Sequence, residues 1–553
     1  AMKTPPSIFL PHQSVDMSTR QPATCQIQGR HAPSIARRAV PVAEAMTAFV
    51  LADLLLSDEA RRPRVCLTLA EPTIDQALAT LKENLPFVEM CELRADFLKP
   101  EQLARAADFP SQAGLPVILT LRRTSDGGRW EGDDDRRSQL FATILQSAPV
   151  PFAYVDFEDD FRRAELEELA RSRGTKIIRS LHELHGTVEN IVERACELKG
   201  SSDDITKIAC QINHCSELAR LFRETENFTG FPHIICGMGE LGKATRILAV
   251  RTHSLLTFTS PAKTDPPLST LGHLTPATMV RTYRFRSLTA ATQLYGVTGW
   301  PLEHSLSPEL NNEAFAKDAC PAVMVPLPAE TAREALDCAE ALGIRGLAVT
   351  VPHKAAMLPL MATLSPEARA VNAVNTVIMT INGWHGENTD IAGFRQALST
   401  FLGRDDLRSC RVAILGAGGA ANAVAYAVAS LGGEACIFNR TLEKAQALAE
   451  KYGFRAAPLA SDQAKLLAEY SQIIIQTTSV GLSSLGDNGG CQDPIPFYAF
   501  RGDESVFDLI YSPPLTPLLA RAQAAGCRIS NGLGMLIAQA QEQRRLYKEL
   551  SRP

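Results

Sequence analysis

From Arg64 onward the chain repeats one local pattern: a short run of β-forming residues, then a stretch with helix-like periodicity. The runs are RVCLTLA, FVEMCELR, PVILTLRR, FAYVDFE, TKIIRSL, ITKIACQI, HIICGMG and SLLTFTS, with spacers such as Ile74–Asn84 and Arg162–Arg173. Strands joined by helical crossovers run parallel, because a tight hairpin can connect only antiparallel neighbours. Eight such repeats predict an α/β fold that closes as a TIM (β/α)8 barrel rather than spreading as an open sheet. Barrel active sites form at the C-terminal ends of strands. Arg122, His182, Lys207 and Arg246 fall at such ends.

Around Tyr283–Thr292 the pattern restarts. RVAILGAGGAANAVAYAVASLG reads as strand, glycine turn and helix, and ACIFNRTLEKAQALAEKYG as the next strand and helix, which together open a Rossmann half. The stretch from Tyr295 to about Thr400 has its own strand and helix pattern and predicts a separate substrate domain. The expected organisation is a flexible N-terminal extension over 1–62, the barrel over 63–287, the substrate domain over 288–400 and the nucleotide-binding domain over 401–530. A C-terminal helix within 531–553, from Met535 to Leu550, is expected to pack back on the substrate domain.

A chain of 553 residues exceeds what one core can hold. Its hydrophobic and charged fractions are those of an ordinary globular protein, and a net charge of -5 argues against nucleic acid as a main partner. The 13 cysteines show no C-x-x-C pair and read as reduced thiols. Cys210, His214 and Cys215 lie close in sequence, but without a second ligand pair they predict no metal. The most apolar early stretch, Ala48–Leu56, contains Asp53 and is too short to span a membrane. Arg20, Arg30, Arg37 and Arg38 outnumber the single acid, Asp16, of the first forty residues. That bias allows an organelle transit peptide, and hence a plastid location, but a flexible bacterial-type tail on a cytoplasmic protein is the preferred expectation.

Lys207 sits in ITKIACQI between apolar β formers. Burial disfavours a lysine's charge and frees the neutral amine that attacks carbonyls. Spacing alone leaves a second reading, a lysine snorkelling from the strand end. The neighbouring runs add His182 and His185 in RSLHELHGT, and Glu92, Arg94 and Asp96 in CELRAD. The ordered motifs ELRADFL, TLRRTSDGG, SLHELHGT, DITKIA and ATRILA, spread from about Arg64 to Ser287, resemble type I 3-dehydroquinate dehydratase. The resemblance implies an imine between Lys207 and the C3 ketone of 3-dehydroquinate, with His182 as general acid/base for C2 and the departing hydroxyl. It further implies that Glu92, Arg94, Arg122 and Arg246 hold the substrate's carboxylate and hydroxyls, and that His185 orients or supports. Two positions depart from the family pattern: Asp126 stands where a glutamate is usual, and Leu271-Gly272-His273 replaces PGQ, leaving His273 as the substrate contact.

In the second half, Gly416, Gly418 and Gly419 of GAGGAA let the backbone approach a pyrophosphate at a helix N-terminus. The following strand ends in Asn439-Arg440-Thr441 instead of an acid, and an arginine there accommodates the 2′-phosphate of NADP. GLAVTVPHK supplies Lys354, and HGENTDIAGF supplies Asn388, Thr389 and Asp390. A lysine and an aspartate brought together can deliver a proton to an oxygen whose carbon receives hydride. HSLSP, VTVPHK, AVNTV, ENTD, GAGGAA, NRT, FDLIYSPPLTPLL and GLGMLIAQ, from about Leu294 onward, resemble shikimate dehydrogenase. The resemblance implies Ser305 and Ser307 on the substrate carboxylate, and Asn375, Asn388 and Gln539 on ring hydroxyls. Thr350 and Tyr511 would line the pocket, and Lys354 and Asp390 would form the catalytic pair, with lysine donating the proton. Ala348, Ala373 and Asn311 depart from residues common in the family. Together the two resemblances imply conversion of 3-dehydroquinate through 3-dehydroshikimate to shikimate, with NADPH as reductant. Preference for quinate and a non-catalytic binding role for one half are the alternatives.

Overall fold

Each of the eight β-rich runs is a strand: β1 (Arg64–Leu69), β2 (Met90–Arg94), β3 (Val117–Thr120), β4 (Tyr154–Glu158), β5 (Lys176–Glu183), β6 (Ile205–Gln211), β7 (His233–Met238) and β8 (Leu256–Thr259). The computed structural model describes residues 11–26, 40–50, 62–262, 268–302, 305–482 and 492–550. Arg30, Arg37 and Arg38 of the N-terminal segment, and His304 of the HSLSP motif, lie outside the described residues. The chain divides into two compact units, Ala1–Arg62 and Pro63–Pro553. In the first, His12–Val15 pairs antiparallel with Pro22–Cys25, and residues 40–50 are helical.

In the second unit β1 to β8 form one parallel sheet in the order 8-1-2-3-4-5-6-7. The seam between β7 and β8 carries no ladder. It is bridged by Leu255 N–H donating to His233 O at 2.8 Å and Ile235 N–H to Ser254 Oγ at 2.9 Å, so the barrel is nearly closed. Side chains of alternate parity point to opposite faces of a strand. One parity packs outward under the helices, as Leu67, Leu93, Leu119 and Val155 do. The other fills the barrel interior with an apolar layer of Cys66, Met90, Ile118, Tyr154, Ile178, Ile205, Ile234 and Leu256. Two residues further along β1 to β6 the same parity turns polar: Thr68, Glu92, Thr120, Asp156, Ser180 and Lys207, all buried. Parity therefore delivers the functional layer directly above an apolar floor. The expected spacer helices are present as Ile74–Asn84 and Ala164–Ser172.

The substrate domain is a six-stranded sheet of β9 (Gln293–Thr298), β10 (Ala322–Pro326), β11 (Ile344–Val349), β12 (Thr363–Leu364), β13 (Thr376–Thr380) and β14 (Gly383–Glu387), in the order 10-9-11-13-14-12. The Rossmann half comprises β15 (Arg411–Leu415), β16 (Glu434–Asn439), β17 (Arg455–Pro458), β18 (Ile473–Gln476), β19 (Ser505–Asp508) and β20 (Arg528–Ser530), all parallel, in the order 17-16-15-18-19-20. That order places its nucleotide crevice at the carboxyl ends of β15 and β18, where the strand order reverses.

The last helix, Leu533–Leu550, returns to the substrate domain. Its approach to helix Thr389–Leu402 requires Gly393, where an added Cβ would stand 2.9 Å from the backbone nitrogen of Gln539. Farther along, the Tyr547 ring stacks on Tyr295 at 4.6 Å between centroids. The barrel also touches the substrate domain directly. Cys215 N–H donates to Glu334 Oε1 at 2.8 Å, and Arg251 Nη1 to Leu342 O at 3.1 Å.

Candidate active sites

The barrel cavity, about 250 Å³, is lined by Glu92, Arg94, Arg122, Asp126, His182, Lys207, Arg246 and His273, among others. The structure thus brings together every barrel residue that the sequence singled out as catalytic or substrate-binding. His185 is not among the lining residues; its backbone is tied to Glu183 Oε1 and to Asn213.

Lys207 is 5% exposed and its Nζ donates to Asp156 Oδ2 at 2.9 Å, 4.3 Å from the Phe258 ring centroid. Arg122 reaches two neighbours. Its Nη1 lies 2.6 Å and 2.7 Å from the two ring nitrogens of His182, and its Nη2 lies 2.9 Å from Asp156 Oδ2. Burial first, and then the charges of Arg122 and Lys207, hold the pKa of His182 well below 6.5. The imidazole is therefore neutral near pH 7, the state a general base requires. Glu92 accepts from Thr68 Oγ1 at 2.9 Å and Thr120 Oγ1 at 2.8 Å. Arg94 is clamped by both oxygens of Asp96, at 2.9 and 2.7 Å, which fixes the fork of its guanidinium.

Both departures from the family pattern, at Asp126 and at Leu271-Gly272-His273, lie at the wall of this cavity. Gly272 has φ +78, and a Cβ there would stand 2.6 Å from Gly239 O, so the turn before His273 requires glycine. Arg246 Nη2 donates to Leu271 O at 2.9 Å and pins that turn. His273 Nδ1 is buried without a partner among the described residues, and burial with Arg246 nearby holds this imidazole neutral as well. Asp126 accepts from Ser125 Oγ at 2.7 Å and Arg123 Nε at 3.0 Å.

Asp156, which the sequence reading passed over, is the most connected side chain here. It is 2% exposed and meets Lys207, Arg122 and Ser180 Oγ, the last at 2.6 Å. Its signal was an acid inside the β run YVDFE; only the register with β5 and β6 shows that it shares a parity with Lys207.

The second cavity, about 560 Å³, is lined by Ser305, Ser307, Thr350, Lys354, Asp390, Tyr511 and Gln539, together with Gln543 and apolar residues. Lys354 Nζ donates to Asp390 Oδ2 at 2.7 Å. Asn375 Nδ2 donates to Asp390 Oδ1 at 2.9 Å, and Gln539 Nε2 reaches the same oxygen. Asn388 caps the helix Thr389–Leu402: its Oδ1 accepts from Asp390 N–H at 3.2 Å and its Nδ2 donates to Ala373 O at 2.9 Å. Asn375 and Asn388 therefore stand behind the wall of the cavity and hold Asp390, rather than lining it. Asp390 lies in the first turn of its helix, where the positive end of the helix dipole favours a carboxylate. Ser307 begins helix Ser307–Lys317 and its N–H donates to Ser305 Oγ at 3.3 Å, so both hydroxyls sit on one turn. Asn311, one of the departures, is buried and its Nδ2 donates to Ser307 O at 2.9 Å.

The glycine turn fits a dinucleotide. Gly416 has φ +112 and a Cβ there would lie 2.5 Å from Thr477 Oγ1. Gly418 caps helix Gly419–Ser430, and at Gly418 and Gly419 nothing lies within 4 Å of an added Cβ, which leaves the helix N-terminus open to phosphate. At the end of β16, Asn439 Nδ2 donates to Thr441 O at 2.9 Å and Thr441 precedes helix Leu442–Tyr452. Arg440 is exposed and makes no ion pair among the described residues, so its guanidinium is available to a 2′-phosphate. Among the described residues no group of three or more His, Cys, Asp or Glu is placed to hold a metal, and no helix is long and apolar enough to cross a membrane.

A barrel with a buried lysine and a neutral histidine, followed by a Rossmann half with an arginine at the ribose position, defines a lyase joined to an NADP-dependent oxidoreductase. Comparison with known proteins gives the families. The type I 3-dehydroquinase family model matches residues 65–290, the shikimate dehydrogenase substrate binding domain 297–377, and shikimate / quinate 5-dehydrogenase 397–484. The chorismate synthase family model matches residues 1–56. The chain is 39% identical to the shikimate dehydrogenase (NADP(+)) of Thermococcus kodakarensis over 260 residues, 47% of this chain and 92% of that one. It is 28% identical to the chloroplastic bifunctional 3-dehydroquinate dehydratase/shikimate dehydrogenase of Arabidopsis thaliana over 518 residues, 88% of this chain and 82% of that one. The structure of dehydroquinate dehydratase and shikimate dehydrogenase from S. pombe, 25% identical, covers 90% of this chain and 98% of its own, with a TM-score of 0.40. The chain belongs to the shikimate dehydrogenase family, and its barrel to the type I 3-dehydroquinase family.

Proposed function

We infer that the barrel dehydrates 3-dehydroquinate through an imine on Lys207, and that the C-terminal half reduces the resulting 3-dehydroshikimate to shikimate with NADPH. The observation that carries this reading is the pairing, in one chain, of a buried lysine beside a neutral histidine with a lysine–aspartate pair beside a glycine cradle.

In the barrel, Arg94 and Arg246 offer donors to the substrate carboxylate and hydroxyls, and Glu92 accepts from a hydroxyl. Lys207 forms a C–N bond to the C3 ketone, whose oxygen leaves as water. The iminium draws electrons from C2, where neutral His182 takes the proton and returns one to the departing hydroxyl. In the second site Ser305 and Ser307 donate to the carboxylate and Gln539 to a ring hydroxyl. Asn375 and Asn388 act one layer back, through Asp390. Gly416, Gly418, Gly419 and the Asn439-Arg440-Thr441 turn would hold NADPH, which supplies the hydride when bound. Lys354, oriented by Asp390, delivers the proton to the ketone oxygen.

The domain boundaries follow the same reading, with residues 1–62 taken as a segment separate from both sites. The match of residues 1–56 to an enzyme family model supports an enzyme-derived segment over a transit peptide, the reading that goes with a cytoplasmic location. Import of the full chain into isolated plastids with removal of this segment would overturn the cytoplasmic assignment.

The deciding experiment mixes the protein with 3-dehydroquinate and NADPH, follows NADPH absorbance and identifies the product. Shikimate is expected; quinate would reassign the dehydrogenase. No consumption with 3-dehydroquinate but consumption with 3-dehydroshikimate would reject the barrel's activity. Borohydride is expected to trap the adduct on Lys207, and trapping that survives Lys207→Ala would remove Lys207 from the mechanism.

A further inference from the structure

We propose that Asp156 is the positioning residue for the reactive nitrogen, a shared counter-charge that passes between Lys207 and Arg122 as that nitrogen loses and regains its positive charge. The proposal rests on the reading of Lys207 as the imine-forming lysine.

Both cations meet one oxygen of Asp156: Lys207 Nζ and Arg122 Nη2 each lie 2.9 Å from Oδ2. They do not meet it equally. Lys207 makes an aligned hydrogen bond, whereas Arg122 Nη2 is close without donating one. Oδ1 is fixed separately by Ser180 Oγ at 2.6 Å, so the carboxylate cannot turn away from either cation.

The surrounding charges leave this duty to Asp156. From β2, Arg94 is committed to Asp96, and Glu92 accepts two threonine hydroxyls. From β4, Glu158 pairs with buried Arg137 at 2.9 Å. From β5, His182 is neutral and leans on Arg122. Beyond Lys207 stand Arg246, His273 and the thiol of Cys236, none of which supplies a negative charge: burial pushes that thiol's pKa up.

A charge buried without a partner is costly, so each change of charge on Nζ must be matched locally. To attack, Lys207 loses one proton to solvent and its lone pair forms the C–N bond while the carbonyl π pair moves to oxygen. Asp156 keeps Arg122 as its partner and is not orphaned. The oxygen leaves as water with the nitrogen's second proton and one regained from solvent, and the C=N⁺ that forms stands again beside Asp156. When His182 takes the C2 proton, the C–H pair flows to the iminium nitrogen. The positive charge then lies on His182 against Arg122, and the same carboxylate offsets that repulsion.

The test uses the full chain carrying Asp156→Asn and measures borohydride trapping on Lys207 against pH. Without its counter-charge the ammonium gives up its proton more readily, so the acid limb of trapping moves down by about one pH unit or more. Dehydratase kcat falls about tenfold or more with a smaller change in KM, because the iminium has lost its partner. The dehydrogenase rate of the same molecule stays normal and reports that the chain is folded. A trapping profile that superimposes on the wild type, with or without loss of turnover, would overturn the proposal. If Asp156→Asn fails to fold, Asp156→Glu carries the test: the charge is kept, so the wild-type limb is expected, and a displaced limb would overturn it. Absence of a Lys207 adduct in the wild type would instead reject the imine assignment itself.

Discussion

Arg122 Nη1 lies within hydrogen-bonding distance of both ring nitrogens of His182, and a guanidinium cannot share that space with an imidazolium without repulsion. The lowered pKa of His182 has burial as its larger cause and Arg122 as its second. The sign is clear: a base with a depressed pKa stays unprotonated as pH falls through the ordinary histidine range. Histidine NMR on the wild type should show His182 neutral at pH 6. In Arg122→Gln its titration should move upward yet remain below 6.5, since burial persists; no movement would exclude Arg122 as a cause. At the second site, Arg440→Ala should weaken NADPH binding while leaving NADH binding nearly unchanged. Equal losses would mean that another group reads the 2′-phosphate. Candidates of this kind were legible where a sequence motif carries the residue, as at Lys207, Lys354 and Arg440. They were not legible where the chemistry belongs to a relation between strands. Asp156 gains its role only from the register of β4, β5 and β6, and Asn375 and Asn388 hold Asp390 because a helix cap and a strand end converge on it.

Among the elements, β19 ends in Asp508, a fully buried carboxyl whose pKa burial pushes up to about 6. It accepts from Thr516 Oγ1 at 2.7 Å and from Ile510 N–H at 3.0 Å. An acid that binds its proton more tightly folded than unfolded adds stability at low pH, and that increment is lost as pH rises through the folded value. Asp508→Asn should therefore flatten the wild type's pH dependence of stability between about pH 4 and 6 by on the order of 2–3 kcal/mol. Thermal melts of both proteins across that range would show it, and parallel curves would contradict it. The strands themselves were easy to read, since β formers and helical spacers alternate regularly. The seam between β7 and β8 was not: it is bridged by single hydrogen bonds that no periodicity encodes.

Across the whole molecule, both cavities are built entirely from residues after Pro63. Removing residues 1–62 should leave both reactions at wild-type rates in steady-state assays, and loss of either would show that the segment supports a site. The two cavities nevertheless differ in how far along the chain their parts are drawn. The barrel's last strand is β8, whereas Asp390 receives a donor from Gln539, 149 residues later in sequence. On a ribosome, which makes proteins from the N-terminus, the barrel can close before any of the dehydrogenase exists. The second site stays without its third donor until the final helix emerges and docks on Gly393. A chain cut short anywhere between would be born with the first half of the conversion and without the second, and would release 3-dehydroshikimate that it cannot reduce.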